Sequence, residues 1–176
     1  QDLRGTVVEI GAGTGVNLPY LSKAVSWIGI EPNPHMHRFV YQKATHLGID
    51  AQVVAGYAET LAFPDNSVDA VISTLVLCSV ADQQAVLQEI RRVLKPGGRF
   101  VFIEHVAAPP GSTLRRIQRF IRPVWRWIAD DCRPDRETRQ AIERAGFSET
   151  NIAPYEPDVP LTIRVIRPHI MGVAIK

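Results

Sequence analysis

Val8-Glu9-Ile10-Gly11-Ala12-Gly13-Thr14-Gly15 is the stretch that decides how this chain is read. Residues 6–10 form a short β-branched run that ends at glycine, the pattern of a buried strand running into a turn. Three glycines at alternate positions let the backbone turn sharply and let a ligand come close to the main chain. The spacing predicts a first helix over 14–24, whose opening N–H groups would favour a negative ligand group. Glu31 lies twenty residues beyond Gly11, at the end of a second predicted strand, 26–30. A carboxylate there can accept hydrogen bonds from both hydroxyls of a ribose. Loop and acid together describe a site for an adenosine-containing cofactor at the carboxyl ends of the strands.

The glycine spacing is G-x-G-x-G. A nicotinamide fingerprint wants a third glycine at residue 16, where this chain has Val16. Tyr20 and Lys23 miss the Tyr-x-x-x-Lys spacing of short-chain dehydrogenases, and no Gly-Lys-Ser/Thr of a Walker loop occurs. The spacing therefore favours S-adenosylmethionine over a nicotinamide or a nucleoside triphosphate.

Outward from the loop, strands and helices alternate. Asn33-Pro34 opens a predicted helix over 34–47, with proline at its first position. Residues 51–55 and 68–73 read as strands. Asp82 caps a helix over 82–94 whose Val86, Leu87, Ile90, Val93 and Leu94 share one face. Pro96-Gly97-Gly98 is expected to stop it before a strand at 99–103. A helix at 135–145 and strands at 147–155 and 161–175 complete the pattern. Alternation implies right-handed crossovers and a mostly parallel sheet, with the last two strands forming an antiparallel pair. The expected fold is α/β: a Rossmann-like, doubly wound sheet of seven strands, mostly parallel, with the last antiparallel.

The chain has 176 residues, 45% hydrophobic and 22% charged, with net charge +2. That is one domain, 1–176, with enough apolar content for a real core, and it is not a disordered composition. Two cysteines, Cys78 and Cys132, make no disulfide framework and are expected as free thiols. No metal site is expected, and arsenite methylation, which needs several thiols, is disfavoured. No apolar run reaches the roughly 18–20 residues of a membrane span. The chain begins with Gln1, and a strand-like run starts by residue 6; a preceding segment is expected to have been trimmed.

Several further motifs fall in order: Ile30-Glu31-Pro32-Asn33, then Phe63-Pro64-Asp65-Asn66-Ser67-Val68-Asp69, then Val93-Leu94-Lys95-Pro96-Gly97-Gly98. With the glycine loop they resemble the motif set of class I S-adenosylmethionine-dependent methyltransferases. Thr74-Leu75-Val76-Leu77-Cys78-Ser79-Val80, Glu104-His105-Val106-Ala107, Pro123 with Trp125, Asp131-Cys132, Arg136-Glu137-Thr138 and Arg167-Pro168-His169-Ile170 extend the likeness over nearly the whole chain. They resemble the methyltransferase-like family that includes membrane-associated alkyl-thiol methyltransferases. Those proteins carry a hydrophobic N-terminal anchor, so the resemblance implies a cytoplasmic or cytoplasmic-face, membrane-associated protein.

The resemblance implies roles residue by residue. Glu9 and the loop Gly11, Ala12, Gly13 and Gly15 would hold the amino-acid end of the cofactor. Glu31 would take the ribose, with Pro32 beside the adenine and Asn33 also among the cofactor-binding residues. Tyr57, Ala58 and Glu59 would flank the adenine, although many relatives have Asp where this chain has Tyr57. Thr74 and Leu75 would line the floor near the methionine part.

Cys78 follows the fourth strand, close to where the transferred methyl should lie; it is either a pocket residue or a small buried hydrophobe. His105, at the same carboxyl edge, can accept a proton near neutral pH or be a structural histidine bonded to backbone. Asp131 can orient or deprotonate a substrate, or cap the segment after it. These two are the candidate catalytic residues; His169, inside a tail strand, reads as structural.

Residues 112–131 read as a lid. Ile117, Phe120, Ile121, Val124, Trp125 and Ile128 recur at helical spacing within 114–128, with arginines on the other side and Pro123 expected to kink or split the helix. Such a basic amphipathic segment either packs on the core or touches a bilayer surface. Nucleic acid is not an expected partner, since no Asn/Asp-Pro-Pro-Tyr/Phe motif occurs. The expected activity is methyl transfer to a small lipophilic acceptor, foremost a thiol. A phenol or quinone, an amine or lipid headgroup, and a non-catalytic cofactor-binding module are the alternatives.

Overall fold

The structure, a computed structural model, describes residues 3–158 and 161–176. Gln1 and Asp2 of the short leader lie outside the described residues.

The five parallel strands expected come first, with α-helices at only two of the four connections between them. Strand β1 (Gly5–Ile10), β2 (Val25–Ile30), β3 (Ala51–Val54), β4 (Val68–Thr74) and β5 (Leu94–His105) run parallel. Strands β6 (Glu149–Tyr155) and β7 (His169–Ile175) follow, and β7 inserts antiparallel between β5 and β6. The sheet order is β3-β2-β1-β4-β5-β7-β6. Strand order reverses between β1 and β4, so the crevice beyond their carboxyl ends is the place this topology offers a ligand.

Successive side chains of β1 enter opposite layers. Val7 packs with Leu18, Trp27, Val40 and Ala70 on one face; Val8 packs with Val71, Leu87, Ile90 and Phe100 on the other. Helix α1 (Pro34–Leu47) starts where Asn33 Oδ1 accepts from His35 N, and helix α2 (Gln83–Val93) starts where Asp82 Oδ1 accepts from Gln84 N and Ala85 N. Helix α2 buries Val86, Leu87, Ile90 and Val93, about 1.5–3 kcal/mol for each side chain fully withdrawn from water.

Five local expectations are corrected. No α-helix occupies 14–24; turns lead into a single 3-10 turn, Leu18–Tyr20. Gly15, at φ +70°, turns the chain out of the right-handed helical region, and Pro19, with no N–H to donate, is placed in the first turn of the short segment that follows. The 96–98 stretch does not stop α2, which ends at Val93; it forms an irregularity inside β5, where Gly97 N donates to Lys176 O. Pro123 does not split its helix: α3 (Thr113–Ile128) is continuous through it. The expected strand at 161–175 begins instead as a 3-10 stretch, Leu161–Ile166, and becomes β7 only after Arg167-Pro168. Helix α4 (Thr138–Arg144) is shorter than expected and lies between α3 and β6.

Candidate active site

The switch point brings three pieces of chain to one crevice: the glycine loop after β1, Glu31 after β2 and the turn after β4. Gly11 has φ +59°, and a Cβ there would lie 2.4 Å from Val76 Cγ2. The loop thus lies directly against the turn after β4, and only glycine permits that contact. Gly13, φ +53°, is different. A Cβ on it would meet nothing nearer than Gly11 O at 3.9 Å, so this glycine faces the open crevice.

Gly13 N donates to Glu31 Oε2 at 2.8 Å, and Asn33 N donates to Oε1 at 2.9 Å. Each carboxylate oxygen has accepted one backbone hydrogen and keeps a lone pair for another donor. His37 Nε2 donates to Glu31 O, fixing the same residue from behind. The acid is therefore aimed before any ligand arrives. An open cradle beside a pre-oriented carboxylate fits the adenosyl part of S-adenosylmethionine.

Glu9 sits deeper than the crevice. Its carboxylate accepts from Trp27 Nε1 and Asn17 Nδ2, each at 3.0 Å. Burial pushes its pKa up to about 7, against the pull of Asn17 and Trp27. Asn17 Nδ2 also donates to Thr74 Oγ1. Asn17 thereby joins the glycine-loop strand to the floor strand, and Glu9 acts through it. No spacing in the sequence singled Asn17 out.

Among the other sequence candidates, Ala12 is buried under the loop and Pro32 and Asn33 are exposed beside Glu31. Asn33 is also occupied as the cap of α1. Tyr57 stands 70% exposed on the neighbouring loop, Ala58 is buried, and Glu59 Oε1 accepts from Ala81 N.

The turn after β4 is held in an unusual backbone state. Leu75 has φ +60° and is 49% exposed; for a residue with a Cβ this costs roughly 1–2 kcal/mol. Its N–H donates to Ile103 O. The next two N–H groups, of Val76 and Leu77, donate to the Glu104 carboxylate, which also accepts from Ser73 Oγ. Burial lifts the Glu104 pKa to about 7 despite these donors. The strained floor persists because Glu104 over-determines it. Glu104 lies in the Glu104-His105-Val106-Ala107 stretch, and no sequence feature marks it for this role.

Known proteins bear on this geometry. Residues 8–102 match the methyltransferase domain family. The thiol S-methyltransferase TMT1B of Rattus norvegicus is 40% identical, covering 100% of this chain and 75% of its own. TMT1B of Homo sapiens is 40% identical over 97% of this chain and 70% of its own. The structure of geranyl diphosphate methyltransferase in complex with GPP and sinefungin superposes with a TM-score of 0.81 at 17% identity, covering 99% of this chain and 73% of that one. The chain belongs to the class I methyltransferase family. Its cofactor is S-adenosylmethionine.

In this methyltransferase the two candidate catalytic residues have different surroundings. Asp131 is clasped by Arg126 and Arg133. Partial burial raises its pKa, the two guanidiniums outweigh that, and the net shift is downward. Its carboxylate is thus a weak proton acceptor. His105 ends β5 and is 2% exposed, with Nδ1 3.7 Å from Cys132 Sγ. Cys78 lies beside them, its thiol donating to Leu75 O. Proximity to Cys78 and to His105 draws the Cys132 thiol pKa below its ordinary value, against burial, while the same proximity and burial push Cys78 up. His169 lies opposite His105 across the β5–β7 pair, the rings 5.4 Å apart.

Helix α3 packs through a narrow line. Gln118 is fully buried; it accepts from Ala108 N and donates to Val165 O. Arg115 and Arg122 pair with Glu137 and Asp135. Ile121 and Trp125 are half-buried, while Ile117, Phe120, Val124, Trp127 and Ile128 are exposed. The apolar stripe is wider than its contact with the rest of the chain.

Proposed function

We propose that this methyltransferase methylates a small lipophilic thiol at a membrane surface. The observation that carries the reading is the likeness to thiol S-methyltransferases over the full chain, at 40% identity. Chemistry supports it. When bound, S-adenosylmethionine supplies an electrophilic methyl on a sulfonium. The chain's own task is then alignment, because an in-line displacement gains most of its rate from positioning. Glu31 and the loop fix the adenosyl end. The floor at 74–77, locked by Glu104, sets the wall along which an acceptor approaches. Leu75 and Val76 make that wall apolar. A thiol, with pKa about 8.5, needs only modest help to ionise, so the arginine-bound state of Asp131 is no obstacle.

For the membrane surface, the support is α3. Exposed Phe120, Val124, Trp127 and Ile128 beside Arg116 and Arg119 are what an interfacial helix presents to anionic lipid. No described helix is long and apolar enough to cross a membrane.

The test is an acceptor screen with labelled methyl donor, divided among aliphatic thiols, phenols or quinones, and amines. Thiol methylation above the other classes is expected. Transfer to phenols or amines with thiols untouched overturns the thiol assignment, and no turnover with any acceptor favours a cofactor-binding module.

A further inference from the structure

Cys78, His105 and Cys132 come from three separate parts of the chain: the turn after β4, the end of β5 and the turn after α3. Their ligand atoms all lie within 4.8 Å of one another, and they form the one such cluster among the described residues. Both thiols are free. His105 is withdrawn from water, and its Nδ1, the nitrogen turned toward the cluster, meets only a sulfur at 3.7 Å. A buried imidazole this poorly satisfied calls for an explanation.

The scaffold around the cluster is clamped. Arg133 N donates to Cys78 O, Arg136 donates to the carbonyls of Leu77, Cys78 and Val80, and Thr138 Oγ1 donates to His105 O. Asp130 and Asp131, both at positive φ, turn the chain back after α3 so that Cys132 points inward. A tetrahedral ion with bonds of about 2.3 Å to sulfur and 2.0–2.1 Å to nitrogen needs its donors roughly 3.6–3.8 Å apart. The sulfur–nitrogen pair already stands at that spacing.

We propose that Cys78, His105 and Cys132 bind a soft divalent metal ion of the zinc class. Two sulfurs and one imidazole select such an ion over magnesium or calcium, which take oxygen ligands. The nearby Glu104 carboxylate offers no competition, since Ser73, Val76 and Leu77 occupy it. Three protein ligands leave a fourth position for water or another soft donor. The ion ties the root of α3 to the floor of the methyl-donor crevice, and the Gly11–Val76 contact carries that tie to the glycine loop. The site is independent of which acceptor the enzyme uses.

The test uses the full chain, reduced, stripped with a chelator and titrated with cobalt(II) alone. One cobalt per chain is expected, with the thiolate-to-cobalt charge-transfer band of tetrahedral sulfur ligation, displaced by zinc. Cys132→Ser, at a half-exposed position, should fold by circular dichroism and lose the band, and His105→Gln should weaken binding at least about tenfold. Failure to bind stoichiometric cobalt, or a band unchanged in Cys132→Ser, overturns the site.

Discussion

Gly13 and Glu31 are joined by a 2.8 Å hydrogen bond from backbone N–H to carboxylate across the ends of two neighbouring parallel strands. The bond links the two features that define the cofactor site. The loop cannot shift without disturbing the acid, and the acid cannot rotate without releasing the loop.

The two crevice glycines should therefore fail differently. Gly13→Ala places a methyl in open space, so its cost to stability is the left-handed backbone alone, about 1–2 kcal/mol. That methyl occupies the cradle, and cofactor affinity should fall at least tenfold. Gly11→Ala drives a methyl into Val76 and should lower stability by more than Gly13→Ala does. Denaturant unfolding of both variants checks this, and equal losses of stability would contradict it.

Stability should carry a pH signature from Glu9. Its folded pKa of about 7 lies above the ordinary carboxylate value of 4.5. The folded state keeps a proton that the unfolded state releases, so stability falls as pH rises from about 4.5 to about 7 and then levels. At 1.36 kcal/mol per unit the fall is at most about 3 kcal/mol. Glu104, lifted to about 7 by burial, acts in the same sense, while His169, pushed down by burial, and Cys132 act in the opposite one within that window. The readout is therefore a difference. Glu9→Gln should gain stability relative to the parent as pH rises from 4.5 to 7, and a difference that stays constant would refute the assignment.

Helix α3 should separate into an inner and an outer role. Gln118→Ala leaves the Ala108 N–H buried without its acceptor, a loss of about 1–3 kcal/mol. Phe120→Ala and Trp127→Ala, both at residues 86% exposed, should change stability by no more than about 0.5 kcal/mol. The same pair should reduce sedimentation with anionic phospholipid vesicles. Vesicle binding unaffected by the pair would remove α3 from any lipid contact.

Much of this was legible in the residues. The β-branched runs and the single-faced apolar set of α2 report burial directly, so five parallel strands and two helices could be placed. Glu31 was legible because strand ends and glycine loops have fixed spacing. The left-handed Gly15 and Pro19 keep 14–24 from forming one helix although its composition allows it, and Arg167-Pro168 breaks a strand that composition alone would continue. Asn17, Glu104 and the meeting of Cys78 with Cys132 were not legible in the same way. Each depends on parts of the chain that only the folded sheet brings together.

The central claim is that the glycine loop and Glu31 hold the adenosyl donor, and calorimetry with S-adenosylhomocysteine tests it most directly. Two hydrogen bonds to a charged acceptor are worth about 1.5–3 kcal/mol each, so Glu31→Ala should weaken binding at least a hundredfold relative to the parent. Equal affinity in parent and variant, or no binding by a folded parent, would contradict the account.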